Sequence, residues 1–219
     1  MPLQVIKEAT YAPLKATPNQ EQALADFLTA GGALVAQTEP KTLVWAGLKN
    51  KDGMMIFDAF EDGSGREAHF AGQVAAALKD KAESLVQGGW EGGVLKDVRN
   101  PKVLSSKVSN NASEMKIALY VPLKAKAGQA EALADFLKSA AAIVEETEPK
   151  TAYWFAVQIS EDEFAIFDFF ADQSGVDAHF AGKVAAAVKA NADALIDGGW
   201  DDGVVANVQR FDVLVMVSK

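Results

Sequence analysis

Two histidines are the residues of this chain whose type and spacing best suit proton-transfer chemistry. His69 and His179 are its only histidines, no cysteine is present, and both occupy the same place in two copies of one sequence pattern. Each copy predicts a helix that begins just before its histidine, so we expect the ring in the first helical turn. The positive end of a helix dipole disfavours imidazolium, which predicts a neutral ring that can donate and accept near pH 7. The alternative is a structural histidine bonded to a neighbouring loop.

Two aspartates lie within apolar runs that are typical of strands. Asp58 follows Ile56-Phe57, and Asp168 follows Ile166-Phe167. An unpaired buried carboxylate costs several kcal/mol, so each must be hydrogen-bonded, face a wetted cavity or be protonated. A raised pKa would make each aspartate a candidate base. The alternative is that each side chain ties its strand to the helix that follows.

A third set of candidates could form a pocket for a planar ligand. Aromatic side chains on the predicted strands could wall such a pocket, or they could simply fill the core between sheet and helices. Arg66 could hold an anionic substrate, or it is an ordinary surface arginine, and the second copy has Val176 there. The candidate substrate-binding residues are Trp45, Trp154, Tyr153, Phe57, Phe167 and Arg66.

These candidates recur because the chain contains an internal duplication. The 19 residues from Phe60 to Leu78 match those from Phe170 to Val188 at 13 positions, at a shift of 110. A period of this length is the size of a compact domain rather than of a solenoid repeat. We therefore predict two domains, residues 1–110 and 111–219.

The pattern within each copy predicts the element order βαββαβ. In the first copy a helix follows Pro18, which suits a first helical turn. Two β-rich runs then flank Asp52-Gly53, a pair that predicts a turn of positive φ. After the second run, Ser64-Gly-Arg-Glu67 fits a capping box. That box is expected to open one continuous helix over Arg66–Val86, followed by a glycine-rich loop and a final strand. This order is typical of the ferredoxin-like α+β fold, with both helices on one face of an antiparallel sheet.

The strands are apolar on both faces, which predicts that something covers the face without helices. The nearest cover is the second copy. We therefore expect two ferredoxin-like βαββαβ repeats packed sheet to sheet as an intrachain pseudo-dimeric α/β barrel, in which further assembly through exposed strand edges is left open. The alternative is two separate domains on a flexible tether.

The same residues resemble a known family. The runs Ile56-Phe-Asp-Ala-Phe60, Gly65-Arg-Glu-Ala-His69 and Gly72-Gln-Val-Ala-Ala-Ala-Leu78, preceded by Glu39-Pro-Lys-Thr42 and Trp45, are similar to antibiotic biosynthesis monooxygenase-type domains. That resemblance implies a dimeric α/β barrel and a cofactor-independent monooxygenase that oxidises a small phenolic compound with O2. In it His69 and His179 would handle the phenolic proton, supported by Asp58 and Asp168. A haem-degrading branch fits poorly, because neither first strand contains asparagine.

Composition excludes several other classes. The chain carries 30 acidic and 21 basic residues, a net charge of −9, which disfavours nucleic acid and anionic membrane surfaces as partners. No export signal is evident, so we expect a cytoplasmic protein. No phosphate-binding loop, dinucleotide fingerprint or zinc motif is present, and we expect no metal and no cofactor. The rival function is a non-catalytic small-molecule-binding or scaffold protein on the same fold.

Overall fold

The computed structural model describes residues 5–219 of the chain. Within that range eight strands and six α-helices alternate, with short π- and 3₁₀-helical turns between them. No helix in these residues has the length and apolar character needed to cross a bilayer. The elements are β1 Glu8–Leu14, α1 Glu21–Thr38, β2 Thr42–Lys49, β3 Met54–Phe60, α2 Gly63–Phe70, α3 Gln73–Leu85, β4 Lys102–Val108, β5 Ile117–Lys124, α4 Ala130–Thr147, β6 Tyr153–Gln158, β7 Glu163–Phe170, α5 Gln173–Phe180, α6 Lys183–Leu195 and β8 Gln209–Ser218.

The chain forms two compact units that do not follow the repeat boundary. One unit comprises the chain up to Asn100 together with Asp212–Lys219, and the other is Pro101–Phe211. In the first unit β3 pairs with β1 and β2, and β2 also pairs with β8. In the second unit β7 pairs with β5 and β6, and β6 also pairs with β4. Each unit therefore takes its last strand from the other repeat, and the boundary near residue 110 stays a prediction.

The exchanged strands also carry a lysine to the end of a helix. In the second unit the buried Lys107 on β4 donates to the carbonyl oxygens of Val144, at 3.4 Å, and Glu148, at 2.9 Å. In the first unit Lys219, just after β8, donates to the carbonyls of Val35 and Glu39. A cation suits the unpaired carbonyls at a helix C-terminus. The exchanged strands thus each bring a lysine that binds the last carbonyl groups of a helix, α4 in the second unit and α1 in the first.

The hairpin between β2 and β3 is closed differently from the sequence-based prediction. Gly53 is not among the glycines of positive φ. Instead the Asn50 side chain accepts from the backbone N–H groups of Asp52 and Gly53, at 2.9 and 3.0 Å. A Cβ at Gly53 would lie 2.8 Å from the carbonyl oxygen of Leu14. The glycine is therefore needed for close approach to β1, and the prediction of positive φ was wrong.

The predicted capping box and the predicted continuous helix are also wrong. Asp62 is the N-cap residue of α2, where its carboxylate accepts from the backbone N–H groups of Ser64 and Gly65. The helix ends at Phe70, and α3 begins at Gln73 after Ala71 and Gly72. Asp172 caps α5 in the second repeat, and α6 follows after the same interruption. Each histidine therefore lies near a helix end.

The predicted α+β class with two ferredoxin-like repeats is confirmed. In each unit the helices cover one face of an antiparallel sheet, and that layer contains Leu28 and Trp45 in the first unit and Leu137 and Trp154 in the second. Every residue of β3 is buried, so both faces of this strand are covered. The interior positions of these sheets are where the candidate side chains lie.

Candidate functional site

His69 lies between two buried carboxyl groups. Its Nδ1 is 2.6 Å from Oε2 of Glu39, and its Nε2 is 3.4 Å from Oδ2 of Asp58. The ring belongs to the last turn of α2, not the first turn that the sequence predicted. In the last turn the ring is far from the positive end of the helix dipole, so the dipole no longer gives a reason to expect a neutral imidazole.

Glu39 is held in place by contacts from three segments of the chain. Its Oε2 accepts from the hydroxyl of Thr42 at 3.2 Å, and its Oε1 accepts from the backbone N–H of Val74 at 3.4 Å. A Cβ at Gly72 would lie 2.5 Å from Oε1. The interruption between α2 and α3 thus lets a carboxylate reach the start of α3. Glu39 itself is only 6% exposed.

The second repeat reproduces this arrangement. His179 Nδ1 is 2.6 Å from Oε2 of Glu148, and its Nε2 is 3.7 Å from Oδ2 of Asp168. Glu148 accepts from Thr151 at 3.1 Å and from the backbone N–H of Val184 at 3.1 Å. The repeated geometry indicates that the sequence specifies the whole cluster, not the histidine alone. Among residues 5–219 no group of three or more His, Asp or Glu side chains is arranged to hold a metal ion.

The carboxyl groups decide the charge of the histidines. Burial opposes the imidazolium, but attraction to Asp58 and the hydrogen bond to Glu39 outweigh it, and the pKa of His69 is raised. The pKa of His179 is raised for the same reasons. Burial alone would raise the pKa of Glu39, yet its bond to His69 and its other contacts lower it. The reason to expect a neutral ring is therefore removed, because the raised pKa shifts His69 toward an imidazolium bonded to the Glu39 carboxylate.

The aspartates are the most perturbed acids of the two clusters. Burial raises the pKa of Asp58 to about 7 and that of Asp168 to about 6, although each neighbouring histidine opposes the rise. Oδ1 of Asp58 and Nε1 of Trp45 are buried and have no hydrogen-bond partner among the described residues. These two residues are cross-strand partners in the β2–β3 pairing. An unpaired acceptor and an unpaired donor thus lie on the same face of the sheet.

This face of each sheet borders a small, partly open cavity. In the first unit the cavity has a volume of about 40 Å³, and Trp45, Asp58, His69, Phe70 and Trp90 are among its lining residues. In the second unit the corresponding cavity also measures about 40 Å³ and is lined by the matching residues, Trp154, Asp168, His179, Phe180 and Trp200. The two cavities are therefore alike in volume.

A second, open space lies on the other side of His69. A groove of about 490 Å³ is bordered by Glu39, Lys41, Thr42, His69 and Gln73, among others. His69 and Glu39 thus line the groove, whereas His69 and Asp58 line the small cavity. The imidazole forms part of the wall between them.

The other predicted site residues lie elsewhere. Phe57 and Phe167 directly precede Asp58 and Asp168, and Tyr153 precedes Trp154, so all three point to the opposite face of their sheets. Arg66 forms an ion pair with Glu8 at 3.0 Å and is not among the lining residues of either space. Their roles in substrate binding stay predictions.

Sequence reasoning missed the glutamates as site residues. Glu39 and Glu148 belong to the repeated Thr-Glu-Pro-Lys-Thr segment, 30 and 31 residues before their histidines. The repetition is plain in the sequence, but a buried carboxylate just after a helix gives no local signal of its distant partner. An identical acidic residue in both copies, beside a proline, was the signal that could have identified it.

The opposite pKa shifts predict how stability depends on pH. Asp58, Asp168 and both histidines have raised pKa values, so the stability they contribute is lost as pH rises through their folded-state pKa values. Glu39 has a lowered pKa, so its contribution is present above 4.5 and is lost only in stronger acid. We therefore expect the free energy of unfolding to be lower at pH 8 than at pH 5, by on the order of 3 kcal/mol.

Urea unfolding at both pH values measures this difference. The variant Asp58→Asn/Asp168→Asn should flatten the dependence, because an amide does not titrate. A parent protein that gains stability between pH 5 and pH 8 would contradict the assignment of the raised pKa values.

Comparison with known proteins connects this fold to solved structures. No protein-family model and no curated protein sequence matches the chain. A candidate monooxygenase from Fusobacterium nucleatum is 14% identical, with a TM-score of 0.78, over 98% of this chain and 95% of that one. A candidate monooxygenase from Lactobacillus acidophilus is 10% identical, with a TM-score of 0.77, over 97% and 96%.

A third match has an explicit fold description. It is an uncharacterised ferredoxin-fold protein from Listeria monocytogenes related to antibiotic biosynthesis monooxygenases, 9% identical, with a TM-score of 0.51 over 95% of each chain. At such identities the likeness shows the fold and not the reaction. The chain therefore shares the ferredoxin-like fold of proteins related to antibiotic biosynthesis monooxygenases, as its sequence predicted.

Proposed function

We propose that this protein is a monooxygenase that oxidises a small phenolic compound with O2 and needs no cofactor. The observation that carries the proposal is Asp58, whose pKa is raised to about 7 and whose Oδ1 is unpaired beside a small cavity. A base with a pKa near the working pH is the most effective in general-base catalysis. The names of the similar structures point to the same reaction class.

The cluster supplies the groups that such a reaction needs. Ionised Asp58 takes the phenolic proton, and the indole N–H of Trp45 donates to the resulting phenolate oxygen, which makes the ring electron-rich enough to reduce O2. A methylene carbon activated in this way can be oxidised to a carbonyl, with one oxygen atom retained and the other released as water. The proton that Asp58 holds returns to the departing oxygen. His69 keeps Asp58 in position throughout.

A phenolic ring needs more room than the cavity now offers. Ligand pockets usually measure about 300–1,000 Å³, whereas this cavity measures about 40 Å³. Phe27, Phe70 and Trp90 also line it and are only partly buried or exposed. Trp90 follows two glycines of positive φ, Gly88 and Gly89. We infer that this outer wall moves when substrate binds.

The small cavity volume also favours a second candidate. The second candidate is a non-catalytic protein of the same fold that binds a small molecule. Its cavity would not need to widen enough to admit an aromatic ring. The polar atoms that converge on the cavity favour the enzyme, because an unpaired carboxylate oxygen on a group of raised pKa can serve as a base.

Oxygen consumption with a panel of hydroquinones and anthrones tests the proposal. We expect substrate-dependent uptake by the parent and a fall of about 100-fold or more in His69→Ala/His179→Ala, which removes the group that holds the base. The control is Glu67→Ala/Asp177→Ala, which changes exposed residues on the same two helices. Binding of these compounds without any uptake would support the second candidate, and uptake that persists in the double histidine variant would remove histidine from the mechanism.

A further inference from the structure

Asp58 has almost no direct contact with bulk solvent. Its side chain is 2% exposed, and Asp58 and His69 are the titratable side chains among the described residues that line the small cavity. On the far side of the ring, Nδ1 is bonded to Glu39, which borders the open groove. The three side chains thus form a continuous line from the cavity to the groove.

We propose that Glu39, His69 and Asp58 form a proton route between the open groove and the buried Asp58 carboxyl group, and that Glu148, His179 and Asp168 form its counterpart in the second repeat. Glu39 acts through His69 and does not touch the cavity, so it is a positioning and relay residue. Nothing in this route depends on O2 chemistry. It requires only that Asp58 exchange its proton with solvent.

The transfer balances in protons at each step. Asp58 gives its proton to Nε2 of a neutral His69 ring that carries its proton on Nδ1, the resulting imidazolium passes the Nδ1 proton to Oε2 of Glu39, and Glu39 releases it to water in the groove. The ring is left neutral with its proton on Nε2 and need not rotate, because a proton that returns from Glu39 to Nδ1 moves the Nε2 proton back to Asp58. The reverse sequence carries a proton inward. One O–H or N–H bond forms for each one that breaks.

The surroundings of Glu39 are those expected of a relay group. Thr42 and the backbone N–H of Val74 hold its two oxygens, which keeps Oε2 directed at the ring. Gly72 leaves the space that the carboxylate occupies. On the groove side Lys41 is the lining cation, and Lys219 is bonded to the Glu39 carbonyl oxygen. These cations favour a carboxylate that returns its proton to water.

The variant Glu39→Gln tests the route, because glutamine keeps the shape of glutamate but cannot take up and release a proton. The chain has two histidines in matching sites, so the unchanged second repeat is an internal control in the same sample. NMR of protein labelled with ¹⁵N at histidine and with ¹³C at the aspartate side-chain carboxyl carbon follows both sites without any substrate.

We expect the pKa of His69 to fall in Glu39→Gln, since its bond to the carboxylate is one of the causes of the raised value, whereas His179 should titrate as before. In the parent the carboxyl signals of Asp58 and Asp168 should each move with pH as a single averaged resonance. In the variant the Asp58 signal should separate into protonated and ionised resonances, because exchange becomes slow, while Asp168 stays averaged.

A merely structural role would shift the titration of His69 without slowing proton exchange at Asp58. An Asp58 resonance that stays averaged in Glu39→Gln, as Asp168 does, would therefore overturn the proposal. Glu39→Asp is the second variant, with an acid one methylene too short to reach Nδ1, and it should slow exchange at Asp58 as well. Loss of O2 uptake in either variant is not needed for this test, so its outcome stands apart from that of the proposed monooxygenase.

Discussion

Replacing both aspartates by asparagine, in Asp58→Asn/Asp168→Asn, should lower kcat/KM for phenol-dependent O2 uptake by about 10²–10⁴-fold. An amide cannot accept the phenolic proton, although it fills nearly the same space and can still accept a hydrogen bond from the histidine. In the parent, kcat/KM should rise with pH and level off above about 7, as the pKa of Asp58 requires. Oxygen-electrode kinetics between pH 5 and pH 9 measure both effects.

The variant must be shown to be folded for this result to concern chemistry. At pH 8 the parent buries an ionised Asp58, whereas the variant buries a neutral amide, so its free energy of unfolding should equal or exceed that of the parent. Asp80→Asn is the control, because Asp80 is an exposed acid on α3. A stable variant with full uptake would show that Asp58 is not the base. Two half-active single variants would show that both repeats work.

Local patterns in the sequence were sufficient to predict the fold class and most of the elements in each repeat. The apolar runs Thr42–Leu48 and Met54–Phe60 predicted β2 and β3 to within one residue, because β-rich segments bounded by a turn leave few alternatives. The duplication predicted that a site in one half would recur in the other, and the clusters around His69 and His179 do recur. Asp58 could also be identified as a candidate from the sequence, because burying an unpaired carboxylate within a strand is costly.

Distant contacts explain what the sequence could not predict. The alanine-rich run through Ala71 and Gly72 has helical periodicity, and only the Glu39 carboxylate, packed over Gly72, explains why the helix is interrupted there. The charge of His69 likewise depends on two acids from other elements, not on its position along a helix. Exchange of β4 and β8 between the units follows from pairing that no local pattern specifies.

The second large effect should come from Gly72→Ala, which adds a single methyl group. A Cβ there would lie 2.5 Å from Oε1 and 2.9 Å from Cδ of Glu39, and 2.9 Å from the carbonyl oxygen of His69. The carboxylate is buried and bonded on both oxygens, so it cannot move without losing partners. We expect a loss of about 3 kcal/mol in the free energy of unfolding, at the upper end of overpacking effects. Gly182→Ala should behave alike, because its Cβ would lie 2.5 Å from Oε1 of Glu148.

Gly63→Ala separates this contact from the general effect of replacing a glycine in a helix. Nothing lies within 4 Å of a Cβ at Gly63, so alanine there should be neutral or stabilise α2 by up to about 1 kcal/mol. Adding Glu39→Asp to Gly72→Ala shortens the opposing side chain, and the double variant should regain part of the lost stability. Urea unfolding of the single and double variants measures that coupling. Equal losses with and without Glu39→Asp would mean that the new methyl group meets the backbone of His69 and not the carboxylate, and the interruption between α2 and α3 would then need another cause.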